Sequence, residues 1–562
     1  MAMEMVEDPR SPGSGLRVVI VGGVAGGMSA ATRLRRLDAG ASITVLERSG
    51  HVSFANCGLP YFVGGLIEEE DDLTLQTPEQ LFDRFRLDVR VHDEVVAIDR
   101  VSHTVRARST VTGEETLVGY DKLVLSMGAA PVRPPIPGYD RVRTLRTVED
   151  AARIASDVDV KPSTAVVIGA GFIGLEMVEN LVGQGIQVTL VEATPQVLPP
   201  LDPELAIIVA DELVVHGVDV ETGATVASIE DGGVTLADGR VLAADLVIGA
   251  IGVRPDVQLA QTAGLELGPS GGLAVNESNQ TSDPDIYAVG DAVEKPDAIS
   301  RTTSLIGLAN VANRQGRRVA DHIAGRPSHS VASLGTAIVK VFDLVAATVG
   351  WNERRLRQSA RPFRAIHSHP FDHATYYPGA TRMAAKLIFD PNDATILGAQ
   401  IVGRSGVDKR IDVIATAMAG GITADRLADL ELAYAPPFSS AKDPVNLLGY
   451  MAENVLSGDC DVVDPSELDR LVTQGWTVVD VRTSEEHAAG AIPGSINVPI
   501  DSIRDRLDAL GTHPIVVYCE VGQRGHTATA LMHELGFQVR NLDGGYQTWV
   551  ASKRAEALAP VT

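Results

Sequence analysis

The chain has 562 residues, 45% of them hydrophobic and 22% charged, a composition typical of a soluble globular protein with room for roughly three or four domains. Its formal net charge of -25, from 48 basic and 73 acidic residues, disfavours nucleic acid and anionic membranes as partners. The 3 cysteines make no disulfide framework, and neither a long apolar run nor a signal peptide is present, which predicts a cytoplasmic protein. We predict a disordered tail over residues 1–15.

The first predicted element after this tail is a nucleotide-binding βαβ unit. A strand over residues 17–21 is followed by a glycine-rich loop, an Ala- and Arg-rich helix and a second strand. Glycines in such a loop let the backbone approach a pyrophosphate, and Glu47 is placed to accept hydrogen bonds from a ribose. Because Val24 replaces the second glycine of GxGxxG, a purely structural turn is the alternative. The predicted cofactor-binding residues of the loop are Gly22, Gly23, Val24, Ala25, Gly26 and Gly27.

The same pattern recurs from residue 165, and there GxGxxG is complete. Two βαβ units in one chain favour the functional interpretation of both. The strand that follows ends at Glu192, whose charge would repel a 2′-phosphate, so NADH is favoured over NADPH. The predicted contacts of this second site are Gly169, Gly171, Phe172, Ile173, Gly174 and Glu192.

A short apolar strand runs into Gly290 and Asp291, and this carboxylate is available for the ribityl hydroxyls of a flavin. This contact predicts FAD in the first site. Arg48, Gly128 and Gly252 complete the predicted cofactor-binding residues.

Cys57 lies ten residues after Glu47, which places the thiol beside the first cofactor site. No other cysteine precedes position 460, so Cys57 has no neighbour with which to form an internal disulfide. We therefore expect it to take sulfur or oxygen from an outside molecule.

These motifs, with GVRPD at 252–256 and YAVGD at 287–291, resemble the pyridine nucleotide-disulfide oxidoreductases over residues 16 to about 455. SFANCGLPY at 53–61, YYPG at 376–379 and AYAPP at 433–437 resemble the coenzyme A disulfide reductases. The resemblance implies an FAD-binding domain (16–147 and 276–330), an NADH-binding domain (148–275), a dimerisation domain (331–455) and a homodimer. Related NADH peroxidases and oxidases carry a histidine where this chain has Ala25, which argues against peroxide as substrate.

The resemblance also implies roles for individual side chains. Tyrosines of the dimerisation domain reach the partner subunit's cysteine and can protonate a departing thiolate; Tyr434 and either Tyr376 or Tyr377 match them, with a packing role as the alternative. Coenzyme A is implied as a ligand whose pantetheine arm reaches Cys57. Its predicted contacts are Ser53, Asn56, Arg33 and Arg36, although a solvated helix face is the alternative for the arginines.

After a predicted linker at 456–460, a separate α/β module over 461–562 resembles a rhodanese domain. A buried strand ends at Cys519, and the loop to Arg524 leads into a helix. Such a loop directs backbone N–H groups at the sulfur, lowers the thiol pKa and stabilises a persulfide; an inert buried cysteine is the alternative. Cys460 has no surrounding motif, and without cysteine pairs or histidine clusters at ligand spacing we predict no metal.

The sequence thus predicts an α/β chain with two Rossmann-like nucleotide-binding domains, an α+β dimerisation domain and a C-terminal rhodanese α/β domain. The predicted activity is FAD-dependent, NADH-driven reduction of persulfides or polysulfides such as coenzyme A persulfide through Cys57, releasing sulfide and thiol. The rhodanese domain, whose predicted catalytic residues are Cys519 and Arg524, would handle sulfane sulfur. The alternatives are a coenzyme A disulfide reductase, an NADH oxidase or peroxidase, and a non-enzymatic sulfide-responsive binding protein.

Overall fold

The structure, a computed structural model, describes residues 15–511 and 513–558. These residues form two compact units, one of residues 15–190 and 226–335 and one of residues 191–225 and 336–558. Residues 1–14 of the predicted tail lie outside the described residues. In the part of the chain that is described, no helix is both long and apolar enough to cross a membrane.

The strands, in chain order, are β1 (Arg17–Val21), β2 (Ser42–Leu46), β3 (Asp88–Arg90), β4 (Asp93–Asp99), β5 (Thr104–Ser109), β6 (Glu115–Gly119), β7 (Lys122–Leu125), β8 (Ala129–Pro131), β9 (Arg143–Thr144), β10 (Thr164–Ile168), β11 (Gln187–Glu192), β12 (Asp219–Thr222), β13 (Val226–Glu230), β14 (Gly233–Leu236), β15 (Val241–Ala243), β16 (Leu246–Gly249), β17 (Val253–Pro255), β18 (Ile286–Ala288), β19 (Glu294–Pro296), β20 (Thr303–Leu305), β21 (Ala337–Val341), β22 (Leu344–Gly350), β23 (Arg364–Ser368), β24 (Met383–Phe389), β25 (Ile396–Gly403), β26 (Val462–Val463), β27 (Thr477–Asp480), β28 (Ile496–Asn497), β29 (Ile515–Tyr518) and β30 (Val539–Leu542).

The helices are α1 (Ala25–Leu37), α2 (Leu59–Val63), α3 (Pro78–Phe85), α4 (Val148–Asp159), α5 (Phe172–Gly183), α6 (Pro203–Val215), α7 (Gln258–Thr262), α8 (Ala309–Ile323), α9 (Glu353–Gln358), α10 (Val407–Gly420), α11 (Pro444–Ser457), α12 (Leu468–Thr473), α13 (Ser484–Ala489), α14 (Ile503–Arg506), α15 (Gln523–Glu534) and α16 (Gly545–Leu558).

In the first unit, a parallel sheet of order β18-β7-β1-β2-β3 carries the first predicted βαβ unit. Apolar residues of β1, α1 and α8 share one core cluster, among them Ile20, Leu34 and Val319. The carboxyl ends of β1 and β18 therefore bring the first glycine loop and Gly290 to the same edge of the sheet. The second βαβ unit is also present, with β10 parallel to β16 and followed by α5.

In the second unit, an antiparallel sheet of order β21-β22-β25-β24-β23 packs with α10 and α11. The C-terminal module contains a parallel sheet of order β26-β30-β29-β27-β28. The predicted Cys519 loop connects β29 to α15. The predicted fold class is confirmed. The domain boundaries stay predictions, and α11 extends to Ser457, inside the predicted linker.

Candidate functional site

Cys57 occupies the centre of a 3-10 turn, Asn56–Gly58, that leads directly into α2, and its side chain is exposed. The segment before the turn is fastened to the first glycine loop, because the Ser53 N–H donates to the Gly23 carbonyl at 2.7 Å. The fold therefore holds the thiol close to the loop predicted for FAD.

The first glycine loop has the geometry of a pyrophosphate cradle despite Val24. A β-carbon at position 27 would lie 1.9 Å from the Gly22 carbonyl oxygen, and one at position 22 (φ +98°) would lie 2.2 Å from that of Ser126. Helix α1 begins at Ala25 with no acidic residue in its first turn, and the first N–H groups of a helix have no acceptor within it. An anion such as a pyrophosphate fits this helix start.

Glu47 is buried just after β2, where its carboxylate accepts hydrogen bonds that fix the glycine loop. One carboxylate oxygen accepts the Gly23 N–H at 2.8 Å, and the other accepts the N–H and hydroxyl of Ser49 at 2.9 and 2.8 Å. The predicted role toward a ribose stays a prediction.

Asp291 lies in the 3-10 turn Gly290–Ala292, whose first N–H donates to the Gln315 side chain at 3.0 Å. Its carboxylate is 3.4 Å from the Arg146 guanidinium, and a β-carbon at Gly128 would lie 2.7 Å from the same guanidinium. Gly128, Arg146 and Asp291 thus lie together. Gly128 and Asp291 were predicted from the sequence, and Arg146 was not.

Arg48 and Gly252 are joined to the same region by loop contacts. The Arg48 guanidinium pairs with Asp256 at 2.9 Å, and the Asp256 N–H donates to the Gly128 carbonyl at 3.0 Å. The Gly252 carbonyl accepts the Val132 N–H at 3.0 Å. These contacts hold the GVRPD segment in place, and direct cofactor contact by Arg48 or Gly252 stays a prediction.

The charges around Cys57 oppose formation of a thiolate. Although the side chain reaches the surface, partial desolvation by the surrounding protein raises the pKa of the thiol; the carboxylates of Glu176 and Asp291 also raise it, and Arg146 lowers it. The protein atoms around Cys57 therefore disfavour the thiolate, and a positive or electron-accepting group bound nearby would favour it.

Glu176 is a site residue that the sequence interpretation passed over. Burial raises the pKa of its carboxyl to about 7, opposed by a hydrogen bond from the Tyr61 hydroxyl at 3.5 Å and assisted by the charge of Glu179. Tyr61 belongs to α2, just after Cys57, and α2 packs against α5, which carries Glu176. The available signal was an acidic residue two positions after GAGFIG.

The second glycine loop has the same close approach as the first. A β-carbon at Gly174 would lie 1.9 Å from the Gly169 carbonyl, whereas one at Gly171 would meet no atom within 4 Å. Open space therefore faces the start of α5, where Phe172 and Ile173 form the first turn, and a dinucleotide pyrophosphate fits there. At the end of β11, Glu192 is buried and accepts the Thr194 N–H at 2.8 Å.

The two arginines predicted for coenzyme A already contact protein groups. Arg33 pairs with Asp321 of α8 at 2.6 Å, and the exposed Arg36 lies over the Phe85 ring at 5.3 Å. Helix α8 adds the exposed Arg314 and Arg317. Contact of Arg33 and Arg36 with coenzyme A stays a prediction.

The structure distinguishes the three candidate tyrosines. Tyr376 and Tyr434 are both exposed, and their hydroxyls are 2.7 Å apart. This hydrogen bond raises the pKa of Tyr376. Tyr377 instead packs edge-on against His373, with the ring centroids 5.7 Å apart.

In the C-terminal module, Cys519 is completely buried at the end of β29. Arg524 lies beside the thiol and donates two hydrogen bonds of 2.7 Å to Glu486, which raise the pKa of this arginine. A buried arginine, Arg482, donates to the Asp480 carboxylate and, at 3.0 Å, to Glu520 of the loop. The sequence interpretation found Cys519 and Arg524 but not the carboxylates that hold the arginines.

Among the described residues, one group has metal-like spacing: Glu212, His216 and Asp343. The Arg404 guanidinium lies 3.1 Å from Glu212 and 3.4 Å from Asp343. Because a protein cation already neutralises these carboxylates, we propose no metal for this group.

Comparison with protein families gives three matches along the chain. Residues 16–316 match the pyridine nucleotide-disulphide oxidoreductase model, residues 336–444 the dimerisation domain of these proteins, and residues 464–552 a rhodanese-like domain. The coenzyme A disulfide reductase of Staphylococcus haemolyticus is 35% identical over 441 residues, covering 78% of this chain and 100% of the relative.

Solved structures give a similar result. The reduced CoADR-RHD of Bacillus anthracis is 46% identical, with a TM-score of 0.94 over 96% of this chain and 99% of that chain. The NAD-dependent persulfide reductase from A. fulgidus is 38% identical, with a TM-score of 0.89 over 95% and 100%. The water-forming NADH oxidase from Lactobacillus brevis is 25% identical, with a TM-score of 0.76 over 79% and 99%. The resemblance seen in the sequence motifs is confirmed.

Proposed function

The chain belongs to the pyridine nucleotide-disulphide oxidoreductase family, and we propose that it reduces persulfides or polysulfides, such as coenzyme A persulfide, at Cys57. Family membership implies FAD and a nicotinamide cofactor, and the dimerisation domain implies a homodimer. The products are sulfide and a thiol, and the rhodanese domain handles sulfane sulfur at Cys519.

The observation that carries this proposal is the chemistry of the cysteines. Cys57 is exposed in a loop without a second thiol, since no other cysteine occurs before position 460. Its sulfur partner is therefore external, and the same chain carries a sulfur-handling domain with a loop cysteine. A domain that carries persulfide is more useful beside a persulfide reductase than beside an enzyme that only recycles coenzyme A disulfide.

The covalent step at Cys57 balances with a persulfide as substrate. The Cys57 thiolate attacks the outer sulfur of R–S–SH, the S–S bond breaks, and R–S⁻ leaves and is protonated. Two electrons then split the S–S bond of the Cys57 persulfide, Cys57–S–SH, which returns Cys57 to thiolate and releases HS⁻. With coenzyme A disulfide the same attack gives a mixed disulfide, and reduction releases a second thiol.

FAD, when bound at the first glycine loop, supplies two-electron transfer between NADH and this sulfur. The residues proposed to hold it are the loop from Gly22 to Gly27, Glu47 and Asp291. Those proposed for NADH are Gly169 to Gly174 and Glu192. Because the Glu192 carboxylate would repel a 2′-phosphate, we propose NADH rather than NADPH as the physiological donor.

Two groups of the chain can manage protons during the cycle. Glu176, with its pKa near 7, holds a proton close to Cys57 and can return it to the departing sulfide. We assign protonation of the departing thiolate to the Tyr376 and Tyr434 hydroxyls of the second subunit, because these two hydroxyls are paired, and a packing role to Tyr377.

Coenzyme A is proposed as substrate carrier, with Ser53 and Asn56 near its thiol end and Arg33 and Arg36 near its phosphates. Arg33 would have to share its guanidinium between a phosphate and Asp321. Because Cys57 must be restored to a free thiol after each cycle, we propose a reducing compartment, the cytoplasm, as the location.

The test is the rate of NADH consumption by the holoenzyme with coenzyme A persulfide and, separately, with coenzyme A disulfide. We expect a higher kcat/KM for the persulfide. A much higher value for the disulfide would favour the second candidate, a coenzyme A disulfide reductase, the activity for which the Staphylococcus haemolyticus relative is named. Substantial turnover with oxygen alone would favour an NADH oxidase, and no turnover with any acceptor a binding protein.

A further inference from the structure

The loop that carries Cys519 rests on a second turn, which begins at Asp543. The N–H of Tyr546 donates to the Cys519 carbonyl at 2.8 Å, and that of Gln547 donates to the Glu520 carbonyl at 3.1 Å. A β-carbon at Gly545 would lie 2.5 Å from the Cys519 carbonyl oxygen and 2.7 Å from the Gly522 nitrogen. The backbone of the sulfur-carrying loop therefore takes its shape from the turn over residues 543–547.

This turn is held by a side chain from the antiparallel sheet of the same unit. The backbone N–H of His367 on β23 donates to one Asp543 carboxylate oxygen at 3.0 Å, and its Nδ1 donates to the other at 2.6 Å. His367 is 4% exposed and Asp543 is 2% exposed. The contact joins residues 176 positions apart and lies away from water.

The opposite ring nitrogen of His367 donates to Glu204 at 3.0 Å, so the imidazole lies between two carboxylates. Because a ring that donates from both nitrogens is an imidazolium, His367 is charged in this position. Burial is the strongest influence and opposes the charge, as does Lys386, but Asp543 and Glu204 together raise the pKa of His367 to about 10.

A buried lysine anchors the far side of this contact. Lys386, the cross-strand neighbour of His367, lies 2.6 Å from Glu204, 2.9 Å from Asp202 and 2.8 Å from Glu353. Charges of alternating sign therefore run without a break from the core of the unit to Asp543.

A neighbouring histidine makes an uncharged contact with the same module and serves as a comparison. Nε2 of His369 is 2.7 Å from the Thr548 hydroxyl on α16. Burial, together with the charges of His367 and Arg382, lowers the pKa of His369 to about 3. His369 is therefore neutral, two positions from a charged histidine that contacts the same module.

We propose that His367 is a positioning residue for sulfur transfer at Cys519, acting through Asp543 and the turn beneath the loop. The inference rests on the proposed function of Cys519, whose thiolate takes the outer sulfur of a donor as the donor's S–S bond breaks. Without the imidazolium, the Asp543 carboxylate is left buried without a counter-charge and must move or take up a proton. The turn then moves, and with it the backbone of the loop, whose Cys519 and Glu520 carbonyls accept hydrogen bonds from the turn.

The experiment uses the full-length holoenzyme with Cys57→Ser, so that Cys519 is the reacting loop thiol, and adds His367→Gln, Asp543→Asn, both together, or His369→Gln. Thiocyanate formation from thiosulfate and cyanide measures sulfur transfer. The pH dependence of Cys519 alkylation by iodoacetamide, followed by mass spectrometry of the Cys519 peptide, measures the loop geometry, since a cradle of N–H groups lowers the thiol pKa.

We expect His367→Gln to lower kcat/KM for thiocyanate formation about 10-fold or more and to move the alkylation midpoint upward by about one pH unit. His369→Gln should stay within about 2-fold on both measures because it removes no buried charge. The variant with both His367→Gln and Asp543→Asn should have a higher kcat/KM for thiocyanate formation than His367→Gln alone. With an amide at position 543, no buried carboxylate is left without a counter-charge. When His367→Gln is made in the chain that retains Cys57, NADH-dependent reduction should be unchanged.

Wild-type transfer and an unchanged alkylation midpoint in His367→Gln would overturn the inference, as would a double variant worse than that single one. If His367→Gln lost its FAD, or lost NADH-dependent reduction when Cys57 is retained, Asp543→Asn would become the deciding variant, because an amide keeps the shape of the carboxylate. Normal sulfur transfer and a normal alkylation midpoint in Asp543→Asn would also overturn the inference. A parent chain that forms no thiocyanate and does not carry sulfur on Cys519 from any persulfide donor would overturn the proposed sulfur transfer itself, whatever the variants do.

Discussion

The Cys57 side chain reaches the surface of its unit, whereas the Cys519 side chain is completely buried in its own module. The carboxylates of Glu176 and Asp291 oppose ionisation of Cys57. Cys519 lies beside Arg524, and the charge of that arginine is shared with Glu486. The thiol proposed to meet outside molecules is thus open and lies among carboxylates that disfavour its ionisation, whereas the thiol proposed to carry sulfur is enclosed and lies beside an arginine.

Replacing Cys57 gives the largest expected effect and tests whether the open thiol is the site of reduction. Cys57→Ser should lower NADH-dependent persulfide reduction by about 1,000-fold or more, because a hydroxyl does not attack sulfur. FAD content, measured by absorbance, should be unchanged. Retained reduction would mean that another thiol performs the reaction and that the contrast between the two loops is misassigned.

Replacing Cys519 is the reciprocal change. Cys519→Ser should abolish thiocyanate formation and leave reduction of small persulfides within about 2-fold of wild type, because no sulfur needs to pass through the module. Cys460→Ser serves as the control for a second buried thiol of the same unit. Burial raises the pKa of Cys460 to about 12, so we expect it to be unreactive and its loss to spare both activities. Collapse of both activities in Cys519→Ser would show that the two domains work only together.

The tyrosine pair sharpens the assignment at the open thiol. Tyr376→Phe should lower kcat for persulfide reduction about 10-fold, because it removes a proton donor paired with Tyr434. Tyr377→Phe should change kcat by less than about 2-fold, since packing against His373 needs no hydroxyl. The steady-state kcat of the two variants is the measurement. An equal loss of kcat in Tyr376→Phe and Tyr377→Phe would contradict the different roles assigned to the two tyrosines.

The smallest expected effect concerns the acid near Cys57. The Glu176 carboxyl is protonated below its pKa of about 7, so kcat should fall as the pH rises through that value. Glu176→Gln should lower kcat severalfold below pH 7 and remove this fall, because an amide does not titrate. Glu179→Gln removes a repelling charge and should move the fall to lower pH. A pH profile identical in wild type and Glu176→Gln would exclude Glu176 as the proton source.

Much of the fold followed from local sequence signals. The glycine loops at 22 and 169 have short spacings that specify strand, turn and helix, so β1, α1, β10 and α5 could be placed from the sequence alone. The loop cysteines were found for the same reason, because each lies at a fixed distance from a strand end.

Contacts between distant elements could not be predicted in this way. Glu176 approaches Cys57 only because α2 packs on α5, and Tyr376 is distinguished from Tyr377 only by its distance to Tyr434, 58 residues away. The tie between His367 and Asp543 has no local signature at all, since a single histidine on an edge strand resembles any other buried histidine. Such pairs are decided by tertiary packing, which periodicity does not encode.

The tie between β23 and the turn at Asp543 also bears on how such fused chains arise and how they can be redesigned. Consider a sulfur-carrier module that is taken from another protein and joined after α11. It would need a carboxylate at the position of Asp543 to pair with His367. It would also need a residue as small as Gly544 at the next position, because a β-carbon there would lie 2.8 Å from the β-carbon of His367. The two halves are therefore not freely interchangeable. We expect chimeras that respect these two positions to be compatible and others to assemble with the carrier loop misaligned.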